Sequence, residues 1–187
     1  MPRMSLDDFE ARYRADSDPW GYRSSPYERA KYQATIEACG PGPFTNALEL
    51  GASIGVFSAL LAPRCDTLTT IDAAPTAVRE ARRRLAHFDN VQVIEGTIPA
   101  AIPDGPYDLV IASEILYYLT AEALNATLVR LHDVLTGRLV AVHWRPHGAE
   151  RPLTAQQVHE TLRRQSWLVQ RERSDTDDYL LAVLERR

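Results

Sequence analysis

At 187 residues, with hydrophobic residues making up 45% of the chain, the sequence has the size and composition of one globular domain with its own core. Its formal net charge of -4 gives no electrostatic reason to expect nucleic acid or an anionic membrane, so a small molecule is the expected partner. Cys39 and Cys65 lie far apart with no metal-ligand spacing around them, which argues against a disulfide or zinc framework and for reduced intracellular thiols.

The first residues, MPRMSLDDFEARYR, are charged throughout and carry no apolar leader. No apolar run approaches the roughly 20 residues that span a bilayer, so a cytoplasmic protein is expected, as a monomer or weak homodimer. Leu6, Phe9 and Tyr13 stand at helical spacing, and the breaker-rich stretch DSDPWGYRSSP follows. Residues 27–38 predict a second helix, started by Ser25-Pro26 and stopped by the GPGP after Cys39. Strands and helices then alternate. Strands are predicted at 47–50, 67–71, 91–94, 108–112 and, after Gly137, over RLVAVHW. Helices are predicted at 56–62, from Pro75 through AVREARRRLAHF, and at 121–135. A helix at 154–165, capped by Thr154, precedes two strands at 167–173 and 179–184 joined by the acidic turn SDTDD.

This alternation predicts an α/β fold: a single Rossmann-like domain with a mostly parallel seven-stranded sheet, helices on both faces and one antiparallel edge strand. It would occupy residues 1–187, with 1–40 as an N-terminal lid or helical extension, because elements ahead of the first strand have no place in the sheet.

In such sheets ligands bind beyond the carboxyl ends of the strands where the strand order reverses, and the turn after the first strand is that place. Here the turn is Gly51-Ala52-Ser53-Ile54-Gly55. Its glycines allow close approach of the backbone to a ligand, and the next helix offers free N–H groups and a positive dipole end. Asp72 ends the second strand, 21 residues past Gly51, the distance at which a carboxylate reaches the ribose hydroxyls of an adenosine cofactor. A helix cap is the plainer reading of the same residue.

Three ligand readings compete for this turn. A dinucleotide fold requires G-x-G-x-x-G, but Gly51, Ser53 and Val56 occupy those places. The same residues fit a G-x-S-x-G nucleophile elbow with Ser53 as nucleophile, yet only about 50 residues precede it, and the acid at Asp72 falls on the wrong strand for a hydrolase. Glu49 supplies the third reading, because a carboxylate beside the glycines suits a cationic ligand and repels phosphates. S-adenosylmethionine carries both an ammonium and a sulfonium.

Taken together, ALELGASIG, TTIDAAPTAVREAR and YDLVIASEILYYL resemble the class I S-adenosylmethionine-dependent methyltransferases across essentially the whole chain. More narrowly, DPWGYRSSPYERAKY, SEILYYL and VAVHWR are similar to the nodulation protein S group, which methylates the amine of a chitooligosaccharide. The resemblance implies S-adenosyl-L-methionine as cofactor and S-adenosyl-L-homocysteine as product. It places Glu49, Gly51, Ala52, Ser53 and Gly55 at the methionine end, Asp72 on the ribose and Ala73 against the adenine. Thr97 and Ile98 follow the third strand, where the adenine ring sits in such enzymes. Thr97 replaces the Asp that many relatives use for the adenine amino group, and Ser53 replaces the usual second glycine.

Ser113 and Glu114 end the fourth strand beside the first, which places them between cofactor and acceptor. Of Tyr117 and Tyr118, one is expected to face the sulfonium and the other to pack. Trp20 is the expected anchor of the lid. Arg29, ahead of Lys31, is the candidate partner of the methionine carboxylate, with a solvated helix face as the alternative. An amine acceptor must lose a proton before attack, and Glu114 and His143 are the candidate bases, His143 also fitting a structural histidine. His132, His147 and His159 have no comparable position, and no metal site is expected. The expected activity is N-methylation of an amine on a sugar, glycan or related metabolite. O-methylation and non-catalytic cofactor binding are the alternatives.

Overall fold

Every strand expected from the sequence is present, with its ends within three residues of those expected. This computed structural model describes residues 4–146, 148 and 150–187, so His147 lies outside the described residues. The strands are β1 (Phe44–Leu50), β2 (Cys65–Asp72), β3 (Val91–Glu95), β4 (Tyr107–Ser113), β5 (Leu135–Trp144), β6 (Leu168–Asp175) and β7 (Tyr179–Arg186). The helices are α1 (Leu6–Ala15), α2 (Pro26–Cys39), α3 (Val56–Leu61), α4 (Pro75–Leu85), α5 (Ala121–Val134) and α6 (Ala155–Arg163), with a 3-10 turn at Leu116–Tyr118. Helix starts follow local chemistry: Ser5 with Asp8 and Thr154 with Gln157 form reciprocal capping boxes, and Ser25 caps α2 with Pro26 in its first turn.

The strands form one sheet in the order β3-β2-β1-β4-β5-β7-β6. The pairs from β3 to β5 are parallel, and β7 runs antiparallel to both β5 and β6. A tight turn after β6 folds β7 back between β6 and β5, so the antiparallel strand stands one place in from the edge that β6 occupies.

Alternate residues of the central strands pack on opposite faces. Leu48, Leu50, Val110 and Ala112 meet Leu124, Leu128 and Leu131 of α5 and Val158 of α6. Ala47, Leu109 and Ile111 meet Ile36 of α2 and Phe57 and Leu61 of α3. Burial on both sides is why these strands read as continuous apolar runs. The strand order reverses between β1 and β4, which brings the turn after β1 and the residues after β4 to one crevice. Among the described residues, no helix is long and apolar enough to cross a membrane, and no cluster of His, Cys, Asp and Glu could hold a metal ion. Cys39 and Cys65 are free, buried thiols.

Candidate active site

The turn after β1 is held in left-handed backbone, with φ of +80° at Gly51, +50° at Ser53 and +74° at Gly55. The amides of Gly51 and Ala52 both donate to the Ile71 carbonyl at 2.9 Å, so they tie the turn to β2 and are not open donors for a ligand. A Cβ on Gly51 would stand 2.9 Å from Ile115 Cβ, which is why the chain needs glycine where the turn passes the end of β4. Gly55 lies behind the cavity. A Cβ there would press on Ala81 and Leu85 of α4, so its place is in the packing of α3 on α4, contrary to the expectation that it lines the methionine end.

Two carboxylates close the adjoining ends of β1 and β2. Glu49 points to the α3 face and is buried, where its Oε2 accepts from Ser58 Oγ at 2.5 Å and from Thr70 Oγ1 at 2.8 Å. Burial outweighs those two bonds and pushes its pKa up to about 7. Asp72 Oδ2 accepts from the Ser53 amide at 2.7 Å and Oδ1 from the Ala74 amide at 2.9 Å. These bonds oppose a burial that raises its pKa, and they fix the plane of the carboxylate while leaving each oxygen a lone pair. The bond to the Ala74 amide closes a turn ahead of α4, whose N-cap is Ala74 with no side-chain cap, so Asp72 is not the helix cap that the plainer reading made it.

Both carboxylates line a cavity of about 490 Å³, a size suited to a cofactor with its substrate. Gly51, Ala52, Ser53, Ala73, Thr97, Ile98, Ser113 and Glu114 share its wall, as does Trp20. The roof is α1 and the loop behind it. Tyr13 Oη and Ser53 Oγ share a hydrogen bond at 2.6 Å, and Glu10 accepts from the Thr76 amide and hydroxyl at 2.9 and 2.7 Å. Trp20 packs edge-on to Tyr13 with centroids 5.3 Å apart, and Phe9 packs edge-on to Tyr118 at 4.8 Å. Ser53 meets a phenol, not an imidazole, so the nucleophile-elbow reading finds no base at this serine.

At the other end of the cavity stands Glu114, in left-handed backbone at φ +57°. Its Oε1 accepts from Lys31 Nζ at 3.0 Å. Its Oε2 accepts from the Trp144 amide at 3.1 Å and from the Tyr117 hydroxyl. Lys31 also stands 3.0 Å from both oxygens of Glu28, whose pKa burial raises. The three side chains form a nearly buried cluster of two carboxylates and one ammonium, and the hydroxyl of nearby Tyr27 is buried in the cavity wall without a hydrogen bond.

Two candidates stand elsewhere. Arg29 is exposed, donates to the Ser24 carbonyl at 3.1 Å and does not line the cavity; Lys31, two residues on, faces inward in its place. His143 is fully buried, and burial holds its pKa well below the usual histidine range. Its Nε2 accepts from the Leu116 amide at 3.3 Å and its Nδ1 meets His159 Nε2 at 3.1 Å. It is a neutral structural group outside the cavity wall and not a base for the acceptor. Of the tyrosine pair, both line the cavity: Tyr117 reaches Glu114, and Tyr118 meets the roof.

Lys31 and Arg151 are the site residues least visible beforehand. Arg151, in the loop after β5, has its guanidinium between the rings of Tyr117 and Trp144, 4.6 and 4.9 Å from their centroids. No periodicity in that loop marks an inward side chain.

The chain is similar to known proteins in sequence and in fold. The chain is 35% identical over 109 residues to nodulation protein S of Rhizobium tropici, covering 58% of this chain and 46% of that protein. It is 31% identical over 126 residues to nodulation protein S of Sinorhizobium fredii strain NGR234, covering 67% of this chain and 57% of that protein. The chain thus spans about half the length of the relatives it matches. Among solved structures it is similar to the N-methyltransferase NodS of Bradyrhizobium japonicum WM9 in complex with S-adenosyl-L-homocysteine. That match has a TM-score of 0.87 at 26% identity and covers 98% of this chain and 99% of the other. The family model of nodulation protein S (NodS) matches residues 5–141, and the chain belongs to that family.

Proposed function

We propose that the protein transfers a methyl group from S-adenosyl-L-methionine to the amine of a small molecule, an amino sugar, glycan or related metabolite, in the cytoplasm. The observation that carries this reading is the pair of carboxylates, Glu49 and Asp72, at adjoining strand ends of the switch point and facing the same cavity as Glu114. The donor set fits the cofactor. Glu49 is a buried carboxylate with a raised pKa, which a cationic ligand would draw into its charged form. Asp72 is oriented by backbone amides to accept from a vicinal diol. Ala73, Thr97 and Ile98 line the same cavity and offer mainly apolar contacts to a flat ring.

Bound there, the cofactor would supply a methyl on a sulfonium, which becomes a neutral thioether when the new N–C bond forms. The protein's own work is alignment and exclusion of water. The N-terminal extension serves as the lid: among its described residues α1, anchored at Ser53 and Thr76, roofs the reacting centre. Glu114 is held by three donors and receives the acceptor ammonium, taking its proton so that the nitrogen lone pair is free to attack. The Glu28–Lys31–Glu114 cluster carries one net negative charge and favours a cationic acceptor over a neutral hydroxyl.

Labelled cofactor offered with paired amino and hydroxyl acceptors tests the reading. Label in amines only, lost in Glu114→Gln, is expected. Label in hydroxyls would make the protein an O-methyltransferase, and calorimetric binding of the cofactor with no transfer would make it a non-catalytic partner. Cofactor binding unchanged in Asp72→Ala would overturn the cofactor site itself.

A further inference from the structure

Arg151 is a buried cation with an unfilled donor among the described residues. Its side chain is 4% exposed, and its Nε is buried without any hydrogen-bond partner. One guanidinium nitrogen reaches the Trp144 carbonyl at a long 3.5 Å. The nearest carboxylate, Glu150, stands 3.9 Å from Nε on a side chain that is 36% exposed. Arginine offers five N–H donors, and among the described residues a buried Nε with no acceptor leaves part of the cost of burying this cation uncompensated. The Tyr117 and Trp144 rings stand 4.6 and 4.9 Å from the guanidinium carbon, and a ring face is no conventional acceptor for its N–H donors, which leaves those donors for another group. Arg151 lines the same cavity as Glu114.

Tyr117 sets the spacing between the two. Its ring underlies the guanidinium and its hydroxyl donates to Glu114, so the cationic and anionic groups are separated by about one tyrosine ring and one hydrogen bond. That span matches a small molecule carrying an amine and an anion a few bonds apart.

We propose that Arg151 binds an anionic group on the methyl acceptor, so that the acceptor is a zwitterionic amine with its ammonium at Glu114 and its anion at Arg151. The orientation of the ammonium rests on the amine-acceptor reading above; the anion subsite rests on Arg151 alone. A carboxylate or a phosphate would each match the planar donor edge.

The test uses the full chain saturated with S-adenosyl-L-homocysteine, with acceptor binding followed by calorimetry and methyl transfer measured separately. The probes are alanine beside ethylamine, and glucosamine beside 2-amino-2-deoxyglucuronic acid and glucosamine 6-phosphate. The member of a set that carries the anion is expected to bind about 10- to 100-fold more tightly than the amine lacking it, as a charge-assisted hydrogen bond would give. Whether the uronic acid or the phosphate gains more identifies the anion.

Arg151→Met is expected to erase the preference and Arg151→Lys to restore part of it, while S-adenosyl-L-homocysteine affinity stays within about twofold. The lysine variant keeps the test open should the methionine variant fail to fold. Equal binding of members with and without the anion, or no binding of any probe at millimolar concentration, overturns the proposal. So does a large loss of S-adenosyl-L-homocysteine affinity in Arg151→Met, which would assign the guanidinium to the cofactor's own carboxylate. Tight, Arg151-dependent binding of the anionic amines without methyl transfer would instead overturn the amine-acceptor reading and leave the anion subsite standing.

Discussion

Glu49 joins stability and binding in a single carboxyl group. Its pKa is 4.5 as an ordinary side chain and about 7 in the folded protein, where burial is the largest cause. Folding thus prefers the protonated form: the stabilising contribution is complete below pH 4.5 and is lost as pH rises through 7. Glu49→Gln removes that loss while keeping the shape, so the variant's thermal midpoint is expected to gain on wild type between pH 5 and pH 8. The same substitution takes away the negative charge facing a cationic ligand. Cofactor affinity in wild type is therefore expected to rise from pH 6 to pH 8 with release of a proton, and to be weaker and flat with pH in the variant. Calorimetry in buffers of different ionisation enthalpy reads the proton directly. Affinity independent of pH in wild type would remove Glu49 from the ligand's surroundings.

The 3-10 turn Leu116–Tyr118 carries Tyr117 to Glu114, and a relay of two histidines suspends it from the sheet. Because the Leu116 amide donates to His143 Nε2, His143 Nδ1 carries the proton and donates to His159 Nε2, which fixes both tautomers. His143→Ala leaves that amide orphaned beside a new cavity and is expected to cost about 2–4 kcal/mol. If the relay positions Tyr117, kcat falls well beyond what the lost stability explains, while S-adenosyl-L-homocysteine affinity changes little. An unchanged kcat in the folded variant would reduce the relay to packing. His159 titrates near 4 in place of 6.5, chiefly through burial, so it favours the neutral folded state and stability declines as pH falls from 6.5 toward 4. His159→Gln is expected to flatten that part of the pH profile of the thermal midpoint relative to wild type. At this scale the sequence was ambiguous for definite reasons. Arg29 and Lys31 lie two positions apart on α2, about 200° around the helix, and only the packing of α2 on the sheet decides which one turns inward. His143 stands on a strand apolar on both faces, where base and structural histidine share one pattern.

For the molecule as a whole, the strands, the switch point and the two carboxylates of the proposed cofactor site were legible because each leaves a local mark: an apolar run, a glycine turn, an acid at a strand end. The inward placement of β7 left none, since a two-strand turn is the same whichever strand pairs with β5. Arg151 left none either, because the two rings that bury it come from the 3-10 turn and the end of β5. What the tertiary structure adds is a cavity walled by separate parts of the chain: the lid, α2, the ends of β1 and β2, and the residues after β3, β4 and β5. A ligand filling it must fasten the N-terminal segment to the sheet. At one hundred times its Kd, S-adenosyl-L-homocysteine would stabilise the fold by about 2.7 kcal/mol. For a chain of this size that corresponds to a rise of roughly 5–11 °C in thermal midpoint. Hydrogen exchange locates the effect: amides of α1, with those of the turn after β1, are expected to gain protection together on binding, and Tyr13→Phe is expected to weaken the gain in α1 more than in the turn. A rise in thermal midpoint with protection confined to β1 and β2 would mean that α1 is a fixed wall and not a lid.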